Sequence, residues 1–211
     1  MANNSDFLKI MVSDVTLHWP RLDHPYRYNN AEKRTEACAA TVNGAGYSIA
    51  WDMPMDDARA LHASLKEHYN ACRAGNKKLP EFSQVFGMKK DEEAGTVRFT
   101  AKKRAMSNDG KENKPPRVIG GDLTDLDDKG IWSGSTGNLR VLAFPTTDPD
   151  GKGGISMLLD VVQVIEAVYG GDGIEDDFAP VKASKPMTED FDAPTPQPEK
   201  QTPAMADDGG F

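Results

Sequence analysis

Residues 95–104 read Gly95-Thr96-Val97-Arg98-Phe99-Thr100-Ala101-Lys102-Lys103-Arg104. Val97, Phe99 and Ala101 alternate with Arg98, Thr100, Lys102 and Arg104, and a period of two is that of a strand with one buried and one solvated face. The solvated face is cationic. This stretch therefore predicts both a β-fold and a candidate surface for anions.

Upstream, Ala58, Leu61, Leu65, Tyr69 and Cys72 recur at spacings of three and four. That periodicity predicts one helix, from about Asp57 to Arg73, with Asp56 and Asp57 at its start and Gly75 as a glycine C-cap. Ahead of it, Glu36 to Val42 and Tyr47 to Met53 flank Asn43-Gly44-Ala45-Gly46, which predicts a hairpin. Phe7 to Trp19 alternates loosely and is read as a first strand, and Pro20 to Lys33 as turn-rich chain.

Residues 76 to 91 read as a basic loop carrying Phe82 and Phe86. Downstream of the basic strand, Ser107 to Pro116 reads as a loop and Val118 to Gly121 leads into acidic chain. Asn138 to Phe144 is a further strand, and Asp148 to Gly154 a turn. Ile155 to Val168 is one long or two short buried strands, with a helix also open. One helix among five or six short strands predicts a mainly β fold, an OB-fold-like small β-barrel with one inserted helix. A β-sandwich is the alternative.

Charge divides the chain. Residues 172–211 hold ten Asp/Glu and three Lys, whereas Lys66 to Arg117 holds thirteen Lys/Arg against seven Asp/Glu. The stretch 172–211 is rich in Pro, Ala, Asp, Glu and Thr and too poor in aliphatic residues to offset its ordering entropy, so it is expected to be a disordered acidic tail after a body of residues 1–171. Such asymmetry points to a nucleic-acid partner or a charged interaction tail. Met1 to Asp6 is polar with no signal-peptide core behind it. The apolar run 155–169 is interrupted by Asp160, Gln163 and Glu166, so no membrane span is expected. Cys38 and Cys72 have no metal-ligand spacing and read as free thiols in a reducing compartment.

Three features carry candidate chemistry. Arg98, Lys102, Arg104 and Arg140 on strands, with Lys77 and Lys78 in a loop, suit a phosphate backbone; the plainer reading is a solvated strand face. Trp19, Tyr26, Tyr28, Trp51, Phe82, Phe86, Trp132 and Phe144 form an aromatic set on which unpaired bases could stack; Tyr26, Tyr28, Trp132 and Phe144 are the chosen candidates, while Trp51 reads as barrel core. In the tail, Asp207, Asp208 and terminal Phe211 form a charged-and-apolar handle, which mimics a nucleic-acid strand or meets partner proteins. Enzyme signals are weak: there is no P-loop, GxSxG or HExxH, and no cofactor motif. Asp122, Asp125, Asp127 and Asp128 fit no EF-hand spacing, so no metal site is expected and a metal-dependent nuclease is the weaker rival. A protein-binding β-domain, an adaptor, is the stronger one.

An ordered series of segments resembles the phage replication single-stranded DNA-binding proteins of the short-tailed phages and their relatives. It comprises Tyr47 to Arg73, Gly75-Asn76-Lys77-Lys78-Leu79-Pro80, Thr96 to Lys103 and Val118-Ile119-Gly120-Gly121. Trp132-Ser133-Gly134-Ser135 leading into Asn138 to Phe144, Gly153 to Gly171, and the acidic tail ending in Phe211 complete it. The resemblance covers most of residues 45–211 and implies an OB-fold that coats single-stranded DNA in replication and recombination, in the host cytoplasm. It also implies a tail that competes with DNA and contacts the polymerase and helicase-primase. By position, Lys77 and Lys78 match a basic DNA-contacting loop, and Phe144 lies near a stacking aromatic. The tail here is less densely acidic and richer in Pro than the family's, so a tail-mediated homodimer stays open.

Overall fold

A computed structural model of the chain describes residues 6–126 and 129–169. The expected tail, with Asp207, Asp208 and Phe211, and the acidic pair Asp127 and Asp128 lie outside the described residues. In order, the elements are β1 (Leu8–Asn29), β2 (Arg34–Ala37), β3 (Gly46–Pro54), α1 (Met55–Gly75), β4 (Phe82–Val85) and β5 (Lys89–Asp91). They continue with β6 (Thr96–Arg104), β7 (Arg117–Ile119), β8 (Thr136–Thr147) and β9 (Gly153–Glu166).

The pairing runs β9-β8-β1-β3-β6, and β6 returns to β9, which closes a five-stranded barrel. Closure hides the strand edges. The fold is the expected mainly β, OB-fold-like barrel, with α1 inserted between β3 and β6. Leu17, Trp51 and Phe99 sit side by side on β1, β3 and β6 and are fully buried. Trp51 stacks on Phe99 with ring centres 5.7 Å apart, so Trp51 is core as expected. Burying side chains of this size stabilises the fold by about 1.5–3 kcal/mol each. Alternation on β6 is as expected, with Val97, Phe99 and Ala101 inside.

Helix α1 buries Ala58, Leu65 and Tyr69, the predicted face. Tyr69 packs edge-on against Phe82 at 5.4 Å, and its hydroxyl donates to the Pro80 carbonyl at 2.9 Å. The helix runs two residues past Arg73. Gly75 is its last residue rather than its C-cap; Asn76 caps instead, its N–H reaching the Cys72 and Arg73 carbonyls.

Three expectations give way. Pro20 to Lys33 is not a turn-rich break, because β1 runs on to Asn29. Pro20 and Pro25 are tolerated because the β1–β3 register slips between His18 and Arg21 and again between Arg21 and Tyr26, where no ladder N–H is demanded. The 36–53 hairpin does not form: β3 pairs with β1 and β6, while β2 pairs with the end of β1. Cys38, Ala40 and Val42 instead pack over Ala45, Tyr47 and Ala105 as a small second core. The basic loop contains two strands, β4 beside β9 and β5 beside β6. Of the readings left open for Ile155 to Val168, one long strand is the outcome: β9 runs antiparallel to β8 along its length.

Candidate functional site

The outer face of β1, β3 and β6 is built in rows. His18, Ala50 and Thr100 stand abreast, then Arg21, Ser48 and Lys102, then Tyr26, Gly46 and Arg104. The middle strand offers only small residues in these rows, so it forms a floor. Larger cationic and aromatic side chains rise from the strands on either side. The result is a trough of about 410 Å³, lined also by Trp19, Arg27 and Tyr28. A second cleft, of about 320 Å³, shares Thr100 and Lys102 with it and adds Phe86, Thr146, Thr147, Ser156 and Met157. The surface therefore continues from β1 across β6 to β9.

Electrostatics sort the cations. Arg27 is matched by Glu36 at 3.0 Å, which also accepts from Asn29. Arg21, Lys102 and Arg104 form no ion pair among the described residues. Arg104 donates to the neutral Asn108 side chain at 3.1 Å, which leaves its charge in place. Burial depresses the Arg21 and Lys103 pKa values, with the Asp160 carboxylate opposing this at Lys103. Burial, then Asp23, pushes the Tyr26 phenol up to about 12. Tyr26 is thus a neutral donor, bonded to Asp23 at 3.0 Å. Uncompensated cations beside accessible rings are what a phosphate chain with unpaired bases requires.

Trp19, one of the aromatic set, has a setting that the sequence does not reveal. It is 52% exposed, and its backbone is left-handed with φ 44°. A bulky residue there costs about 1–2 kcal/mol and persists only where its surroundings enforce it. Its backbone N–H donates to Ser133 Oγ at 2.8 Å, and the flanking loop is tied to Leu17 by two backbone bonds. The Arg98 guanidinium lies 4.6 Å from the indole centre. Arg98 in turn grips Asp52 through two bonds of 2.7 Å. Asp52 also meets His18 Nε2 at 3.1 Å.

Of the expected site residues, the trough gathers Tyr26, Tyr28, Lys102 and Arg104, and Arg98 adjoins it through Trp19. Trp132 is half-buried beside the Ser133 that holds Trp19; its backbone N–H donates to the Val168 carbonyl at 2.7 Å. Arg140 is paired with Asp160 on β8 and β9, and Phe144 packs on Phe7 at 5.6 Å; neither lines the trough. Lys77 and Lys78 are exposed in the turn after α1 and line neither cleft. Trp19, a member of the aromatic set, also lines the trough, as do Arg21 and Arg27, which were not among the chosen candidates. Among the described residues no His/Cys/Asp/Glu group could hold a metal ion, and no helix is long and apolar enough to cross a membrane. Cys38 and Cys72 are free thiols.

No protein-family model matches the sequence, and no curated protein matches it. Solved structures do. The single-stranded DNA-binding protein from bacteriophage Enc34 in complex with ssDNA superposes with a TM-score of 0.54 at 17% identity, over 82% of this chain and 97% of that one. The single-stranded DNA-binding protein gp2.5 of bacteriophage T7 superposes with a TM-score of 0.55 at 18% identity, over 83% and 99%. A C-terminal truncation of the Enc34 protein gives 0.53 at 18%, over 81% and 95%. The shared fold spans about four-fifths of this chain and nearly the whole of theirs.

Proposed function

We propose that this chain is a non-enzymatic single-stranded DNA-binding protein of phage replication. The observation that carries the reading is the trough, a small-residue floor between walls that hold Arg21, Lys102 and Arg104, without ion partners among the described residues, beside Tyr26, Tyr28 and Trp19. Phosphates lie against the cations and release counterions, and bases stack on the rings. The floor admits a flexible single strand, whose bases turn toward the protein. A duplex keeps its bases stacked inside and gains only the phosphate part. The likeness to the Enc34 and T7 proteins supports the same reading.

The acidic stretch 172–211 acts, in this reading, as a competitor for the trough. Asp207, Asp208 and Phe211 at its end are the handle for the replication polymerase and helicase-primase. The setting is the host cytoplasm, where the protein coats DNA in replication and recombination.

Fluorescence anisotropy of labelled oligo-dT tests the function, at two salt concentrations and with duplex as competitor. Salt-weakened binding that duplex fails to compete is the expected result. Absence of binding at low salt, with or without residues 172–211, overturns it in favour of a protein-binding adaptor.

A further inference from the structure

We propose that Trp19 is a base-stacking platform fixed on the rim of the trough, and that Asp52 is its positioning residue, acting through Arg98. The inference deepens the single-stranded DNA reading and rests on it.

Three observations converge. The indole is half exposed at a strained backbone position, which the loop bearing Ser133 holds from behind. One face of the ring has a cation 4.6 Å from its centre. That cation does not hang freely: Asp52 takes two of its N–H groups at 2.7 Å each, and the fork fixes the guanidinium plane. The His18 ring, 5.8 Å from the indole, closes the cluster by meeting Asp52. A platform whose geometry is set before binding loses less side-chain freedom when a base arrives.

The same geometry gives Arg98 a part different from that of Lys102. Asp52 matches the charge of Arg98 in place, so Arg98 releases few counterions when DNA binds. It backs the ring, and Lys102 and Arg104 meet the phosphates. Loss of the platform therefore weakens binding to bases while leaving the salt dependence alone.

The experiment compares full-length wild type with Trp19→Ala, Trp19→Phe and Asp52→Asn. The ligands are oligo-dT and an abasic deoxyribose-phosphate oligomer of equal length, over a range of salt. Trp19→Ala is expected to weaken oligo-dT binding by about 5- to 150-fold, the range of one lost stack, with abasic binding unchanged. Trp19→Phe, which keeps a ring, restores part of it. Asp52→Asn falls between them on oligo-dT, with a salt slope steeper than the wild type's because Arg98 loses its matching carboxylate, and unfolding midpoints measured alongside separate loss of fold from loss of positioning. Equal losses on both oligomers, or no loss with Trp19→Ala, overturn the platform while leaving DNA binding intact. A wild type that binds neither oligomer overturns the function itself, and the platform with it.

Discussion

Arg140 and Asp160 face each other across the β8–β9 pair, with Arg140 Nε donating to Asp160 Oδ2 at 2.6 Å. Neither residue lines the trough, and the pair is about one-third exposed on each side. Arg140→Ala is therefore expected to cost about 0–1 kcal/mol in urea unfolding. Its oligo-dT affinity and salt slope should match the wild type. A shallower slope would put Arg140 on the DNA path.

Lys102 behaves oppositely. It lines both clefts and has no ion partner among the described residues. Lys102→Ala should reduce the slope of log affinity against log salt by about 0.7, the contribution of one phosphate contact on a single strand. Titrations at four or more salt concentrations give the slope directly.

Gly153 is a packing test remote from the trough. A Cβ there would run into the Tyr69 hydroxyl and stand 2.8 Å from the Glu81 carbonyl oxygen. Gly153→Ala should destabilise the barrel by about 1–3 kcal/mol, as overpacking does. Combining it with Tyr69→Phe should cost less than the two separate losses added together, which a double-mutant cycle of unfolding free energies reads.

His18 gives stability a pH dependence. Burial lowers its pKa from the ordinary 6.5, Asp52 opposes that, and Arg98 on β6 adds to it. The folded state thus binds the proton less readily than the unfolded chain. Its contribution is fully present above pH 6.5 and is lost as pH falls toward the lowered value. Asp52, held below its usual range chiefly by its bond to Arg98, adds a loss of the same sign in more acidic solution. His18→Gln should flatten the fall in unfolding midpoint just below pH 6.5 and leave the more acidic fall in place.

Removing residues 172–211 deletes ten acidic residues and three Lys. Oligo-dT affinity should rise severalfold, and more at low salt than at high, since the competition is electrostatic. Unchanged affinity would leave the tail as a partner handle only.

What the sequence makes legible follows from local pattern. The β6 alternation and the α1 apolar face depend on neighbours within a few positions, and both stand in the structure. The span of β1 is not legible, because its two prolines fall at register slips that only the pairing with β3 creates. Asn43-Gly44 does mark a tight turn, with Gly44 at φ 82°, yet the chain on either side finds other partners. Tyr26, Tyr28, Lys102 and Arg104 are brought together because tyrosines in polar chain and cations on an outer strand face both stay on the surface. Trp19 is legible only as one of a set of aromatic residues; what sets it apart is a backbone angle and the contact with Arg98, which lies far along the chain. Arg140 looks like a spare cation until Asp160 appears opposite it.

The barrel seam between β6 and β9 rests on a single ladder position, Lys102 beside Leu158, whereas β8 and β9 are laddered along their whole length. Local opening costs least where so few backbone bonds hold two strands, so amide hydrogen exchange at this seam should outpace that between β8 and β9. The cleft spanning it has Thr100 and Lys102 on one bank and Ser156 and Met157 on the other. An occupant touching both banks acts as a clasp, and its binding free energy is added to the cost of prising the barrel apart.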